Sequence, residues 1–184
     1  MTSTAVGCIT KAEQLLKDTL CACSAFQEWC GAANATEAAE SIYLEALPPD
    51  DVYRDQEEVE RLIARRPFAQ IWTSEQDGLT IRRIASPNTT SGTGTLYLRF
   101  ERNVPEEIAH DYAEVDRTFK NVLGEILSSG DADSPGLAEL SSLAGYLDWE
   151  AIIIRSWTRT QRDDIPTLGD AQMAEVEIQW GTPG

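Results

Sequence analysis

TLYLRFER, residues 95–102, alternates without a fault: Leu96, Leu98 and Phe100 on one side, Tyr97, Arg99 and Glu101 on the other. Successive side chains leave a pleated backbone in opposite directions, so this pattern predicts a strand with its apolar set inward and its polar set outward. Neighbouring runs extend the sheet. RPFAQIW (66–72) predicts a strand opened by Pro67, where a missing N–H is tolerated. EQDG (75–78) predicts a turn, LTIRRIA (79–85) a second strand, and SPNTTSGTGT (86–95) a loop of turn formers. These three runs together predict an antiparallel meander.

After the sheet the period changes. Pro105-Glu106-Glu107 suits a first helical turn, with proline tolerated early and acids near the positive end of the dipole. Ile108, Tyr112, Val115, Phe119, Val122 and Ile126 follow at helical steps, and Ser128-Ser129-Gly130 closes the helix. DWEAIIIRSWTRT (148–160) and AEVEIQWG (174–181) predict two last strands joined by a polar connector, RDDIPTLGD. The expected fold is therefore α+β: a largely antiparallel sheet of about five strands, packed by an N-terminal helix and a long central helix. Residues 1–184 are expected to form a single domain, with a charged helical insertion at about 36–66 and a short flexible C-terminal tail. Within the insertion, Thr36–Leu47 reads as a short helix halted by Pro48-Pro49, with a strand over Ser41–Ala46 as the rival. A further helix is expected across Glu57–Arg65.

All four cysteines lie in the first 30 residues. Thr10-Lys11-Ala12-Glu13 has capping-box form, and Ala12, Leu15, Leu16, Thr19, Leu20, Cys23, Phe26 and Cys30 make an apolar stripe that Gly31 ends. On one continuous helix Cys23 and Cys30 are about 10 Å apart by the helical rise, beyond the roughly 7 Å that a disulfide spans. The same helix turns Cys21 to the wet side with Gln14, Lys17 and Glu28, which makes it the one thiol to test by alkylation. Zinc sites use C-x₂₋₄-C pairs with further ligands, whereas here the close pair is C-x-C and His110 is the only histidine. No metal and no cofactor is expected.

The formal charge is −16, from 31 acidic and 15 basic residues. Nucleic-acid affinity comes mainly from basic groups displacing counterions, so the chain is a poor candidate for gripping DNA. No apolar run reaches the roughly 18 residues of a membrane span, and the N-terminus lacks the form of a signal peptide, so a cytoplasmic chain with reduced thiols is expected. SGTGT lacks the lysine and the following helix of a phosphate loop. DADSPG (131–136) has Pro135 where a calcium loop needs a ligand. His110 is expected on a solvated helix face. Nothing in the pattern points to an enzyme.

On the fourth strand, simple alternation puts Arg155, Trp157 and Arg159 on one face and Ile152, Ile154 and Ser156 on the other. Such a strand is either central and covered on both sides or covered by a neighbouring subunit, since interfaces favour tryptophan and arginine. An N-terminal helix, RPFAQIW opening a sheet, an up-and-down hairpin, the helix DYAEVDRTFKNVLGEIL and the closing strand AEVEIQWG resemble the tail-terminator family of tailed bacteriophages, over about residues 10–181. The resemblance implies a virion protein, made in the host cytoplasm, that caps the tail tube as a ring, usually a hexamer. Its partners would be its own copies, the tail-tube protein and the head connector, with DNA passing nearby but not bound specifically. Asn88, Thr89 and Thr90, in the loop, and Arg155, Trp157 and Arg159, on the fourth strand, are then the expected interface residues. The competing expectation is an acidic intracellular binding protein that neutralises a basic partner or mimics DNA.

Overall fold

The computed structural model describes residues 4–44, 64–73, 80–83, 90–127, 136–137, 148–160 and 171–181; side chains at 4–11, 80–83, 90–92, 148–150 and 157–160 are outside the description. From the N-terminus come α1 (Thr4–Ala22), α2 (Ser24–Cys30), the single turn α3 (Ala35–Ala38) and a 3-10 turn, Ala39–Ser41. Strands β1 (Ile42–Tyr43), β2 (Phe68–Trp72), β3 (Thr80–Arg83) and β4 (Thr90–Asn103) follow. A second 3-10 turn, Glu106–Ile108, precedes α4 (Tyr112–Leu127), and β5 (Asp148–Thr160) and β6 (Ala171–Gly181) end the chain. The fold is α+β. Its sheet runs β1-β2-β4-β6-β5, with β3 also on β4, and among the described strands only the β1–β2 pair is parallel.

β4 is the axis of this sheet and is longer than its clean alternation suggests. Thr90–Thr95, expected as loop, is its first part: Thr90 to Thr93 pair with β3 and Thr93 to Asn103 with β6. Serine, threonine and glycine there signal turns locally, but two flanking strands offer the backbone a ladder that outweighs that preference. Gly94 is needed for a different reason. Its missing Cβ would stand 2.8 Å from Cζ2 of Trp180, whose ring is 2 % exposed.

The expected meander is corrected as well. β2 pairs with residues 97–101 and β3 with residues 90–93 of the same strand, both antiparallel. The two therefore run the same way along one edge of β4. They are an interrupted first arm of one hairpin, not two successive strands of a meander. The EQDG turn, the loop residues 86–89, residues 131–135 of the DADSPG segment, the C-terminal tail and most of the 57–65 helix lie outside the described residues. The rival readings of 36–47 each hold in part: one helical turn, capped by Asn34 Oδ1 on the N–H groups of Thr36 and Glu37, gives way to β1.

On one face, Leu96, Leu98, Phe100, Ala174, Val176, Ile178 and Trp180 meet Ala12, Leu16, Leu20 and Phe26 from the N-terminal helices. Phe119, Leu123 and Ile126 of α4 complete this core. Phe26, Trp29 and Phe100 form an aromatic cluster with centroid separations of 5.6 to 6.3 Å. Each fully buried side chain of this size contributes about 1.5–3 kcal/mol.

Both helix starts differ from expectation. α1 begins at Thr4, so Thr10–Glu13 is interior, and Glu13 Oε1 accepts from Thr73 Oγ1 at 2.8 Å instead of capping. Pro105 opens only a 3-10 turn, and α4 starts afresh at Asp111, whose Oδ1 accepts from the N–H groups of Ala113 and Glu114. This break moves the buried seam to Val115, Phe119, Leu123 and Ile126 and leaves Tyr112 exposed. Gly31 ends α2 in the left-handed region at φ 72°, as expected.

Because the Trp180 ring is packed and cannot swing aside, Gly94→Ala is expected to cost about 1–3 kcal/mol. A urea denaturation series comparing it with Gly124→Ala, where an added Cβ meets nothing within 4 Å, checks this.

Candidate functional site

The sheet face away from the helices was expected to be a wet surface and is instead a packed polar layer. β4 contributes Tyr97, Arg99 and Glu101 to it, β2 contributes Phe68, Gln70 and Trp72, and β6 contributes Met173, Glu175 and Glu177. Glu101 is 1 % exposed, and Phe68, Gln70 and Glu177 are buried too. Arg66 donates from Nε to Glu101 Oε1 at 2.7 Å and from Nη1 to Asn103 Oδ1 at 3.1 Å. Arg99 Nη2 stands 3.0 Å from Glu101 Oε2, so two guanidinium groups hold one carboxylate. Further along, Glu177 accepts from Arg155 Nε at 2.6 Å and from Gln179 Nε2 at 2.9 Å. Trp72 stacks on Tyr97 across the β2–β4 pair, with centroids 5.6 Å apart.

A second polar link ties α4 to the sheet on the helix side. Arg102 Nε donates to Gln172 Oε1, Gln172 Nε2 donates to the carbonyl of Val115, both at 2.9 Å, and the guanidinium lies over the Phe119 ring. Burial pushes the Arg102 pKa down from its ordinary value, since a charged group loses solvation there.

These carboxylates are engaged by cations and amides, an arrangement that fixes strands in register. Among the described residues no three His, Cys, Asp or Glu side chains come close enough to hold a metal ion. No described helix is long and apolar enough to cross a membrane. His110 is exposed.

The cysteines divide differently from the prediction. Cys23 is buried in the core and Cys30 half-buried, but Cys21 is buried as well. The cause is a break: Cys23 is extended (φ −74°, ψ 116°), so α1 and α2 are separate helices, and Gln27 Nε2 of α2 reaches back to the Cys21 carbonyl at 2.7 Å. A single helical phase therefore does not hold for residues 10–30, and the wet side assigned to Cys21 is covered. Burial is the largest cause raising the pKa of all three thiols above 9.0.

No protein-family model matches this chain, and no curated protein matches it.

Of the residues predicted to form an interface, Asn88 and Thr89 lie outside the described residues. Thr90 is a strand residue opposite Arg83. β5 is irregular between Trp149 and Ala151 and again between Ile154 and Ser156, so Arg155 sits at a bulge. Trp157 pairs with Ala174 and Arg159 with Gln172, the same strand parity as Ile154 opposite Val176. Arg155 lies at the second register shift, so simple alternation does not carry across it to positions 157 and 159. β5 also ends the sheet, which removes the central-strand alternative for it among the described residues. Ile153 is half-buried and Ile154 is 39 % exposed.

The residues that organise the open face, Arg66, Arg99, Glu101 and Glu177, were not singled out from sequence. Arg99-x-Glu101 on one strand face was the available signal, but its partner Arg66 is remote in sequence. Removing Glu101 leaves two largely buried arginines uncompensated, so Glu101→Ala is expected to cost about 3 kcal/mol in chemical denaturation.

The thiols give a pH dependence. With folded-state pKa values raised, their contribution to stability is complete below the ordinary value of 9.0 and is lost as pH rises through the folded-state values. The urea midpoint should therefore fall as pH rises past the ordinary thiol value of 9.0, and fall less in Cys23→Ala. Native Cys21 and Cys23 should resist alkylation at neutral pH until the protein is unfolded, read by mass spectrometry of the peptides.

Proposed function

We propose that the protein is a structural component of a bacteriophage tail, capping the tail tube as a ring of identical subunits and joining it to the head connector. The observation that carries this reading is the pair of unlike sheet edges. β5, of 13 residues, closes one end and the two-residue β1 closes the other. A ring is head-to-tail, so each subunit must present two different surfaces that fit each other, and the rotation between copies must close. A subunit with one repeated surface would instead form a two-fold dimer. Charge supports the same reading. At a formal −16, the copies repel the phosphate backbone of DNA passing through the ring and do not retain it. The element order, helix, sheet, helix, closing strands, resembles that of the tail terminators.

Native mass spectrometry across concentrations, alone and with purified tail-tube protein, tests this. The expected result is a closed ring, formed alone or on addition of the tube, and arrest of tube growth. A persistent monomer that ignores the tube and binds a basic protein tightly would overturn it in favour of an acidic neutralising protein.

A further inference from the structure

Two large apolar side chains of the sheet region are exposed, and they lie at its opposite ends. Leu44, just past β1, is 38 % exposed, and Ile154, on β5, is 39 % exposed. The third exposed large apolar residue among the described ones, Tyr112, is on α4, away from both edges. Ile154 pairs with Val176, so it belongs to the helix-side face. Ile42 pairs with Ala69, a core residue of that face, and Leu44 is two residues further on. We propose that the sheet continues from one copy to the next, the 151–154 window of β5 taking the Ile42–Leu44 edge of a second copy. This rests on the ring reading above and names the contact that builds it.

Strand direction favours the pairing. β1 runs with β2, β4 against them, β6 against β4, and β5 against β6, so β1 and β5 run in opposite senses. A head-to-tail neighbour keeps its orientation across the seam, and its β1 therefore meets β5 antiparallel, the stronger ladder. Lengths match too. The irregularities at Glu150 and Arg155 leave Ala151–Ile154 as the regular apolar stretch between them, enough for a strand as short as β1. Bulges elsewhere on an edge strand resist longer pairing, which disfavours a β5–β5 dimer.

The test uses the full chain carrying Leu44→Cys, the full chain carrying Ile154→Cys, and their equimolar mixture. Each is oxidised with copper phenanthroline, mapped as peptides by mass spectrometry, and weighed by native mass spectrometry. The mixture is expected to give a link between positions 44 and 154 of different chains, and neither variant alone a 44–44 or 154–154 link. Ile154→Lys, on an exposed side chain, is expected to lower the mass to the monomer with an unchanged urea midpoint. A 154–154 link from one variant alone, no 44–154 link in a sample of ring mass, or a ring that survives Ile154→Lys would overturn the contact and leave the ring standing. A chain monomeric at every concentration, with and without tail-tube protein, would overturn both.

Discussion

β4, a strand of 14 residues, is paired on both edges, to β2 and β3 at 97–101 and 90–93 on one side and to β6 at 93–103 on the other. A strand has only two ways to face, and a one-residue slip exchanges every side chain between the faces. Here such a slip would expose Leu96, Leu98 and Phe100 and bury Arg99 among the helices. The register of β4 therefore sets the whole molecule: it places Phe100 under Phe26 and Trp29, Gly94 under Trp180, and Arg102 against Phe119.

Both faces enforce that register, by different physics. On the helix side the force is burial of apolar area, which is large but tolerant of exact shape. On the open side it is a carboxylate gripped by two guanidinium groups. Desolvating three charges offsets most of their attraction, so the triad contributes little net stability compared with an apolar set of the same size. What it adds is direction, because both guanidinium groups stand within ion-pair distance of Glu101 only when β2 and β4 are correctly aligned. In a chain with twice as many acids as bases, placing arginines at these positions also keeps Glu101 and Glu177 from being buried without a cation.

Among the described residues, the exposed large apolar side chains of the sheet region are at its ends. β5 combines a regular apolar stretch with bulges on either side, and β1 is too short to cap its edge fully. A sheet finished in this way is open to another strand without being a long, flat template for aggregation. That asymmetry is what separates a head-to-tail assembly from a two-fold one.

How much of this the sequence determined follows the range of the forces involved. Period-two alternation in 95–102 and 174–181, the β-branched run of 148–160 and the helical steps of 115–126 are written in neighbouring residues, so the α+β class and the apolar faces were legible. So were the apolar steps Ala12, Leu16 and Leu20 within α1 and the stop of α2 at Gly31, since local helical geometry governs each. Only the tertiary structure decided that β2 and β3 share one edge of β4 and that the SGTGT stretch is strand. It also decided that Cys21 is covered and that Arg155 parts company with Trp157 and Arg159. Each depends on a partner distant in the chain: a ladder offered by β6, a helix folding back at Cys23, a bulge imposed by pairing. Glu101 is the plainest case. Alternation placed it on the outer face correctly, but its burial required Arg66, 35 residues away, and no local pattern records that contact.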